Sequence, residues 1–480
     1  MKLKNKSLFL LVALLVMVAL VSSACAAPDN SAELEAAQQA LAEAEAALAE
    51  AEDASAEELA EAQAALEAAQ AEAEAAMAET EETAAEGPVT LTFWSRDTNA
   101  TQLQALVDGW NETHDNQIEL TLIPAGDFLS KLGVAIAAGE PPDIAAIDSS
   151  RIPKFASEGQ LLDITDQATA LPYFDHFIEA DIETVTYPKI GGRLHGIPFF
   201  LDNSVLIYNK DLFRQAGLDP ERPPANRAEM QEAIEKITAL GDDIYGFYFS
   251  GACSGCMIFT SAPQVWASGG DFLSEDGSAA TLDDPELHEL LKFYRWMVTE
   301  GHVPASAEGD NGSGWTTLFT AGQIGMQGTN SVGLSSIVND HPDLDFGTAV
   351  WPGREGGTSS WVGGDSITIP ADSEHPDEAW EFLKWLSSRE AQTTYYTDLN
   401  YLPIRTDLFD HPNIANDPNL LTGATAGEVG KVPWMVEMDA AVCCAPTAPT
   451  MNFWLGAIFE GDFDFEDEQE EANEIINAGQ

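Results

Sequence analysis

Basic residues are scarce. The chain holds 21 Lys+Arg against 80 Asp+Glu in 480 residues, a formal net charge of −59. That shortage excludes a nucleic-acid partner, because a polyanion is held by a basic surface that releases counterions. It disfavours electrostatic docking on anionic lipid for the same reason. The 8 His are scattered, with no His-Glu-x-x-His, zinc-ligand spacing or acidic calcium loop among them. There is no Gly-x-Ser-x-Gly elbow and no phosphate-binding Gly-Lys-Ser/Thr loop. No metal, cofactor or catalytic chemistry is therefore expected. Paired carboxylates of a secreted carbohydrate-active enzyme remain the catalytic alternative. Hydrophobic residues are not scarce: at 45% they can build a sizeable core.

The charge is unevenly spread. Residues 1–30 carry a net +2, residues 31–86 a net −17 with no Lys or Arg, and residues 87–480 a net −44. Lys2, Lys4 and Lys6 precede an apolar run from Leu8 to Val21 and then Ser22-Ser23-Ala24-Cys25. A basic start, a short apolar stretch and small residues make a secretory signal over 1–24. The run falls short of the roughly 20 residues of a membrane-spanning helix. Its end resembles a bacterial lipobox, although Ser22 stands where Leu is usual. Cys25 is thus the expected lipidation site, and 25–30 a tether that holds the exported protein at the membrane face. Residues 31–86 are Ala and Glu with Leu34, Leu41, Leu48, Leu59, Leu66 and Met77 at mixed steps of 7 and 11. That pattern keeps a thin apolar stripe on one helix. It reads as a solvated helical or coiled-coil spacer, or alternatively as the partner-binding element of a sensing lipoprotein.

Beyond Gly87-Pro88 the pattern changes. Residues 89–94 read as a buried strand, 102–114 as a helix, 118–123 as a strand, 128–138 as a helix and 144–147 as a third strand. A βαβαβ start implies an α/β fold with ligand contacts at the strand C-termini. Later helices are predicted at 227–240, 285–299, 376–387 and 467–476.

Motifs in this segment then narrow the class. Leu91-Thr92-Phe93-Trp94 is followed by Gly139-Glu140-Pro141-Pro142-Asp143-Ile144 and Gly159-Gln160-Leu161-Leu162-Asp163. Next come Gly196-Ile197-Pro198-Phe199-Phe200-Leu201-Asp202 and Leu206-Ile207-Tyr208-Asn209-Lys210-Asp211-Leu212-Phe213. Phe319-Thr320-Ala321-Gly322-Gln323-Ile324-Gly325-Met326, Gly363-Gly364 and Leu402-Pro403-Ile404-Arg405 complete the order. Together they resemble the extracellular solute-binding proteins of sugar ABC importers, related to maltose-binding proteins.

The resemblance implies a two-lobed periplasmic-binding-protein-like fold over 87–480, with interwoven lobes and a ligand cleft. On that pattern the first lobe takes about 88–200 and 315–362, and the second about 203–314 and 365–480. It implies a monomeric domain that captures a sugar or oligosaccharide and delivers it to ABC permease subunits by hinge closure. A polyol or glycerol-phosphate-type solute is the alternative cargo.

Sugars need flat aromatic faces for their C–H surfaces and planar polar groups for paired hydroxyls. All 11 Trp follow residue 87. Trp110, Trp296, Trp380 and Trp385 lie on amphipathic helices and read as core. Trp94 at the end of the first strand, Trp361 beside the Gly pair, and Trp266, Trp434 and Trp454 are the candidate stacking faces; core packing is the alternative for Trp266. Asp202 aligns with an acidic ligand position of the family, or else caps the hinge. Asn203 adds an amide beside it, and Asp148 ends the third strand as a hydroxyl acceptor or a helix cap. Asp97, Asn330 and Asp365 are further candidates, and Arg96 or Arg151 could build a local basic cleft. Val332 stands where many relatives carry Trp.

Besides Cys25, four cysteines lie in the exported segment, Cys253 with Cys256 and Cys443 beside Cys444. Export favours disulfides. Adjacent cysteines seldom bond each other comfortably, so bridges between the two pairs are expected; a four-thiolate metal site or a redox pair are the alternatives.

Overall fold

The alternation of buried and exposed side chains sets the first strand. In β1 (Thr90–Arg96), Leu91, Phe93 and Ser95 are buried, and Thr92, Trp94 and Arg96 take the opposite face. A computed structural model describes residues 87–97, 100–186, 191–274, 281–432, 449–461 and 463–478. The expected signal, tether and spacer segments, Cys25, Trp434, Cys443 and Cys444 lie outside these residues. The chain divides into Met1–Val89 and Thr90–Gln480, and the second unit is described here.

α1 (Ala100–Thr113) buries Leu103, Leu106, Val107 and Trp110, the spacing of one helix face. β2 (Gln117–Ile123), α2 (Ala125–Ala138) and β3 (Ile144–Asp148) complete the βαβαβ start. The later strands are β4 (Ile197–Pro198), β5 (Asp202–Asn203), β6 (Val205–Asn209), β7 (Tyr245–Tyr248) and β8 (Ile324–Thr329). They continue with β9 (Phe346–Ala349), β10 (Trp351–Pro352), β11 (Thr358–Gly363), β12 (Asp365–Thr368) and β13 (Gly430–Lys431). The helices that matter for the site are α3 (Glu179–Thr184), α4 (Arg227–Thr238), α5 (Ser254–Ala267), α6 (Pro285–Thr299) and α7 (Ser331–Asp340). α8 (Pro376–Leu386), α9 (Pro418–Thr425), α10 (Pro449–Phe459) and α11 (Phe465–Ala478) follow.

The strands make two main sheets. One has the order β2-β1-β3-β12-β4 and the other β7-β8-β6-β9. β1 runs parallel to β2 and β3, whereas β12 is antiparallel to β3 and β4. In the second sheet β6 is antiparallel to β8 and β9, and β7 is parallel to β8. Each sheet anchors a lobe with its own core. Phe93 and Trp110 meet Phe382 of α8 edge-on at 5.9 and 5.4 Å in the first. Phe213, Phe247, Tyr294, Phe319, Trp351 and Trp454 are buried in the second.

The lobes are interwoven, but the boundaries differ from those expected. Residues 315–362 do not return to the first lobe: β8 pairs with β6 from Val205↔Thr329 to Tyr208↔Met326, and β9 flanks β6 on its other side. The residues after 365 do not begin in the second lobe either, because β12 pairs with β3 from Asp365↔Asp148 to Thr368↔Ala145. The chain thus leaves the first sheet after β4, returns at Gly363-Gly364, and crosses again before α9, which packs on β9. Repeated β-strand patterns carry no label for the sheet they join, so the sequence placed the second crossing too early.

β5 and β11 form the first two crossovers, paired through Val362↔Asn203 and Gly363↔Asp202. Gly364 is required there: its φ is +111°, and an added Cβ would lie 2.9 Å from that of Asp202.

Candidate functional site

Four strand ends meet at this crossover and bring Arg96, Asp148, Asp202 and Asp365 together. Arg96 closes β1 on the face shared with Trp94, while Asp148 closes β3 directly opposite Asp365. The Arg96 guanidinium donates through Nε to Asp365 Oδ2 at 3.3 Å and through Nη2 to Oδ1. Its Nη1 stands 3.4 Å from Asp148 Oδ2. Burial works against the Arg96 charge, but Asp365 and then Asp148 outweigh it and hold the proton above the ordinary arginine value. Arg151 faces Asp148 as well, and burial lowers its pKa. Behind these groups Ser149 and Ser366 are joined hydroxyl to hydroxyl at 2.9 Å, which fixes the β3–β12 edge.

Asp202 differs from its neighbours because the donors bonded to it are neutral, with the Arg96 charge acting on it through space. Its Oδ1 accepts the Ser331 N–H at 3.2 Å, and the Asn330 side chain adds a second bond. Burial pushes its pKa up to about 7, the two donors oppose this, and the charges of Asp365 and Asp148 add to it. Asn330 also accepts the Gly333 N–H at 2.7 Å as the N-cap of α7. Asp181 of α3 is 2% exposed and leaves Oδ2 without a partner. Burial, then the charge of Asp202, raises its pKa well above the ordinary carboxylate value.

A recess opens beside Ser331, between the lobes. Gln102 from α1, Phe200 and Leu201 from the crossover, and Ser331, Val332 and Ser335 from α7 line it, together with Tyr396, Tyr401 and Leu402. Tyr401 is hydrogen-bonded to the Gln102 side chain, which orients an aromatic face in the recess.

The structure sorts the sequence candidates. Asp148, Asp202, Asp365 and Asn330 gather at the crossover, with Trp94 half-buried on the Arg96 face of β1. Asn203 does not share that site. It is fully buried, and its Nδ2 donates to the Gly423 carbonyl at 3.0 Å, tying the crossover to α9. Asp97 accepts the Ala125 N–H at 3.1 Å and so caps α2. Trp361 is 7% exposed and stacked on Trp266 at 5.5 Å, and Trp266 is bonded to Asp271 and covered by Lys431. Trp454 is fully buried, edge-on to Phe272 at 6.0 Å. Both rings of the Trp266–Trp361 pair and that of Trp454 are therefore occupied by packing. Tyr396 and Tyr401 went unrecognised in the sequence, although Tyr401 adjoins the Leu402-Pro403 motif and Val332 signalled a missing aromatic nearby.

The expected bridges between the two cysteine pairs are overturned. Cys253 is bonded to Cys256, and its Sγ accepts the Cys256 N–H at the start of α5. The first turn of the helix brings residues three apart close together, so the pair closes locally. Among the described residues no group of three or more His, Cys, Asp or Glu side chains could hold a metal ion. No described helix is long and apolar enough to cross a membrane.

Residues 95–393 match the bacterial extracellular solute-binding protein family, a span that runs from the end of β1 through β12 and α8 and includes the β5–β11 crossover. The chain belongs to that family. Its members bind solutes rather than transform them, so the role is that of a binding protein and not an enzyme. A putative binding protein of Brucella abortus (strain 2308) is 28% identical over 296 residues, 60% of this chain and 69% of that one. The maltotriose-binding protein of Pyrococcus abyssi is 26% identical over 307 residues, 63% of each chain. The fold matches that of an ABC transporter solute-binding protein of Thermotoga lettingae bound to α-D-tagatose. That match has a TM-score of 0.70 at 23% identity and covers 81% of this chain and 99% of the other. The two-lobed architecture expected from the sequence is thereby shown.

Proposed function

We propose that this family member captures a sugar or oligosaccharide between its lobes and delivers it to an ABC permease. The observation that carries the reading is the interlobe pairing of a carboxylate with an aromatic recess: Asp202, bonded to Ser331 of the recess wall, beside Tyr401 and Phe200. Ionised carboxylates accept strong charge-assisted bonds from hydroxyls, and an aromatic face covers the C–H side of a pyranose. The binding partners named for the Pyrococcus and Thermotoga relatives, maltotriose and tagatose, are of this chemistry. Ligand bridging of the lobes favours the closed arrangement by its differential affinity, and the closed form is the one the permease receives. Cys25 would carry the lipid, with 31–86 as a spacer between membrane and binding domain.

A thermal-shift screen of the mature chain tests this, since a ligand for the native state raises its melting temperature. Mono- and oligosaccharides are expected to raise it. If every sugar leaves it unchanged while another solute class shifts it, the reading fails.

A further inference from the structure

Two parallel strands set the face that the second lobe turns to the cleft. β7 pairs with β8 as far as Tyr248↔Gln327, so their C-terminal ends share the edge from which Asn330 and Ser331 reach Asp202. The chain from Ala307 to Trp315 is fastened along that edge. The Gly251 N–H donates to the Ala307 carbonyl at 2.7 Å, and the Ala252 N–H to that of Asp310 at 2.9 Å. The Asp310 carboxylate accepts the Tyr248 hydroxyl at 2.6 Å, the Ser250 hydroxyl at 2.5 Å and the Gly312 N–H at 3.1 Å, and Gly314 adds a further backbone bond. Burial works against the charge, but these bonds outweigh it and hold Asp310 below the usual carboxylate range. An ionised carboxylate has about four acceptor sites, and the bonds fill them. Gly312 packs against the Cys253–Cys256 sulfurs, and the Gln327 amide donates to the Trp315 carbonyl at 2.8 Å.

All this bonding surrounds one ring that the core does not use. Trp266, Trp296, Trp351, Trp361 and Trp454 belong to the second core or pack against it. Trp315 does neither, although it is half-buried. Among the described residues it meets no other aromatic ring, and its indole N–H meets no acceptor.

We infer that Trp315 is the second lobe's contact ring for the captured solute, and that Asp310 and the Cys253–Cys256 bond are positioning residues that hold its loop. A flat indole covers the C–H face of a sugar ring, and its N–H meets a hydroxyl. The ring follows a Gly-rich run, Gly309-Asp310-Asn311-Gly312-Ser313-Gly314, that would be costly to order at the moment of binding. The carboxylate clamp and the disulfide order it beforehand, so less affinity is lost to ordering. The Cys253–Cys256 pair thereby gains a role in capture, through the loop it supports. The inference rests on the sugar reading and adds to it a ring from the second lobe.

Isothermal titration of the mature chain tests it, with the mono- and oligosaccharides of the melting screen, maltotriose and tagatose among them, and with sn-glycerol 3-phosphate as a solute without a sugar ring. Trp315→Ala is expected to keep the melting temperature within a few degrees and to weaken sugar binding at least about tenfold, a loss that Trp315→Phe largely restores. Cys253→Ser/Cys256→Ser is expected to weaken binding about threefold or more in the wild-type background and to add no loss to Trp315→Ala. A purely structural bond would not show that coupling. Tyr248→Phe, which removes one of the Asp310 bonds, makes the same comparison if the cysteine variant does not fold. Unchanged sugar binding in Trp315→Ala overturns the contact ring and leaves the sugar reading standing. Equal losses from the cysteine change with and without Trp315 overturn the positioning role. Binding of sn-glycerol 3-phosphate alone sinks the sugar reading, and the contact ring then stands or falls by whether Trp315→Ala weakens it. A wild type that binds neither any sugar nor sn-glycerol 3-phosphate overturns both.

Discussion

Asp202 and Ser331 lock the crossover to the second lobe by two bonds in opposite directions. The Asp202 carboxylate accepts the Ser331 N–H at 3.2 Å, and the N–H of the adjoining Asn203 donates to the Ser331 hydroxyl at 2.9 Å. The start of α7 is therefore held to the strand that joins the lobes. A ligand contacting Asp202 touches the joint itself.

The charge state of that joint follows pH. Burial, only partly opposed by the Ser331 amide, lifts Asp202 from 3.8 to about 7. An acid with the higher pKa in the folded chain leaves that state holding more protons between the two values. Stability therefore falls as pH rises from about 4 to about 7. At about 1.4 kcal/mol per pKa unit, the loss from this group is at most about 4 kcal/mol. Urea midpoints of the wild type and Asp202→Asn, measured from pH 4.5 to pH 8, should converge at low pH and separate at high pH in favour of Asn. Parallel profiles would remove Asp202 as the titrating group.

Arg96 and Asp365 should behave as one energetic unit. Either partner replaced alone leaves the other inside the crossover without its main counter-charge, since Asp365 is 1% exposed. Arg96→Ala or Asp365→Ala is expected to cost about 3–5 kcal/mol in unfolding free energy. The double variant should cost less than the sum of the two, with a coupling of about 1–3 kcal/mol in a double-mutant cycle. Additive losses would show that the pair does not act together.

Aromatic residues divide into those that hold the lobe and those that face the recess. Trp454→Ala removes a fully buried side chain from the second core and is expected to cost about 3–5 kcal/mol, with sugar affinity kept in whatever fraction stays folded. Tyr401→Ala removes a half-buried ring of the recess and should leave the melting temperature within a few degrees while weakening sugar binding at least about tenfold. A Tyr401 variant that binds sugar normally would exclude this ring from the site.

The contrast shows what the sequence makes legible. The βαβαβ start, α6 and α8 are readable because hydrophobic period reports which face of an element is buried. Asp202, Asp148 and Asp365 are readable because strand ends and Gly pairs mark crossovers. Trp454 misleads because an aromatic near a chain terminus looks the same whether its partner is Phe272 or a ligand. Tyr401, and the pairing that Arg96 makes, become recognisable only through contacts across 299 and 269 positions, with Gln102 and Asp365. No local pattern encodes such separations. The second crossover was misplaced for the same reason, since β8 and β12 differ in their sheet and not in their local pattern.

The Cys253–Cys256 bond carries the last expectation. It closes a loop of only four residues, and chain-entropy reasoning gives such a loop about 2 kcal/mol. Its location adds a second effect: Gly312, at φ +92°, packs so closely that an added Cβ would sit 3.0 and 3.2 Å from the Cys256 and Cys253 sulfurs. The bond thus shapes the seat of the loop around Gly312, whose neighbour Asp310 accepts the Ala252-side partners Tyr248 and Ser250. Dithiothreitol should lower the urea midpoint of the wild type by an amount equivalent to about 2 kcal/mol and leave Cys253→Ser/Cys256→Ser unaffected. Peptide mapping without reduction should recover Cys253 and Cys256 joined within one peptide. A fragment linking either of them to Cys443 or Cys444 would restore the bridges between pairs and overturn the local bond.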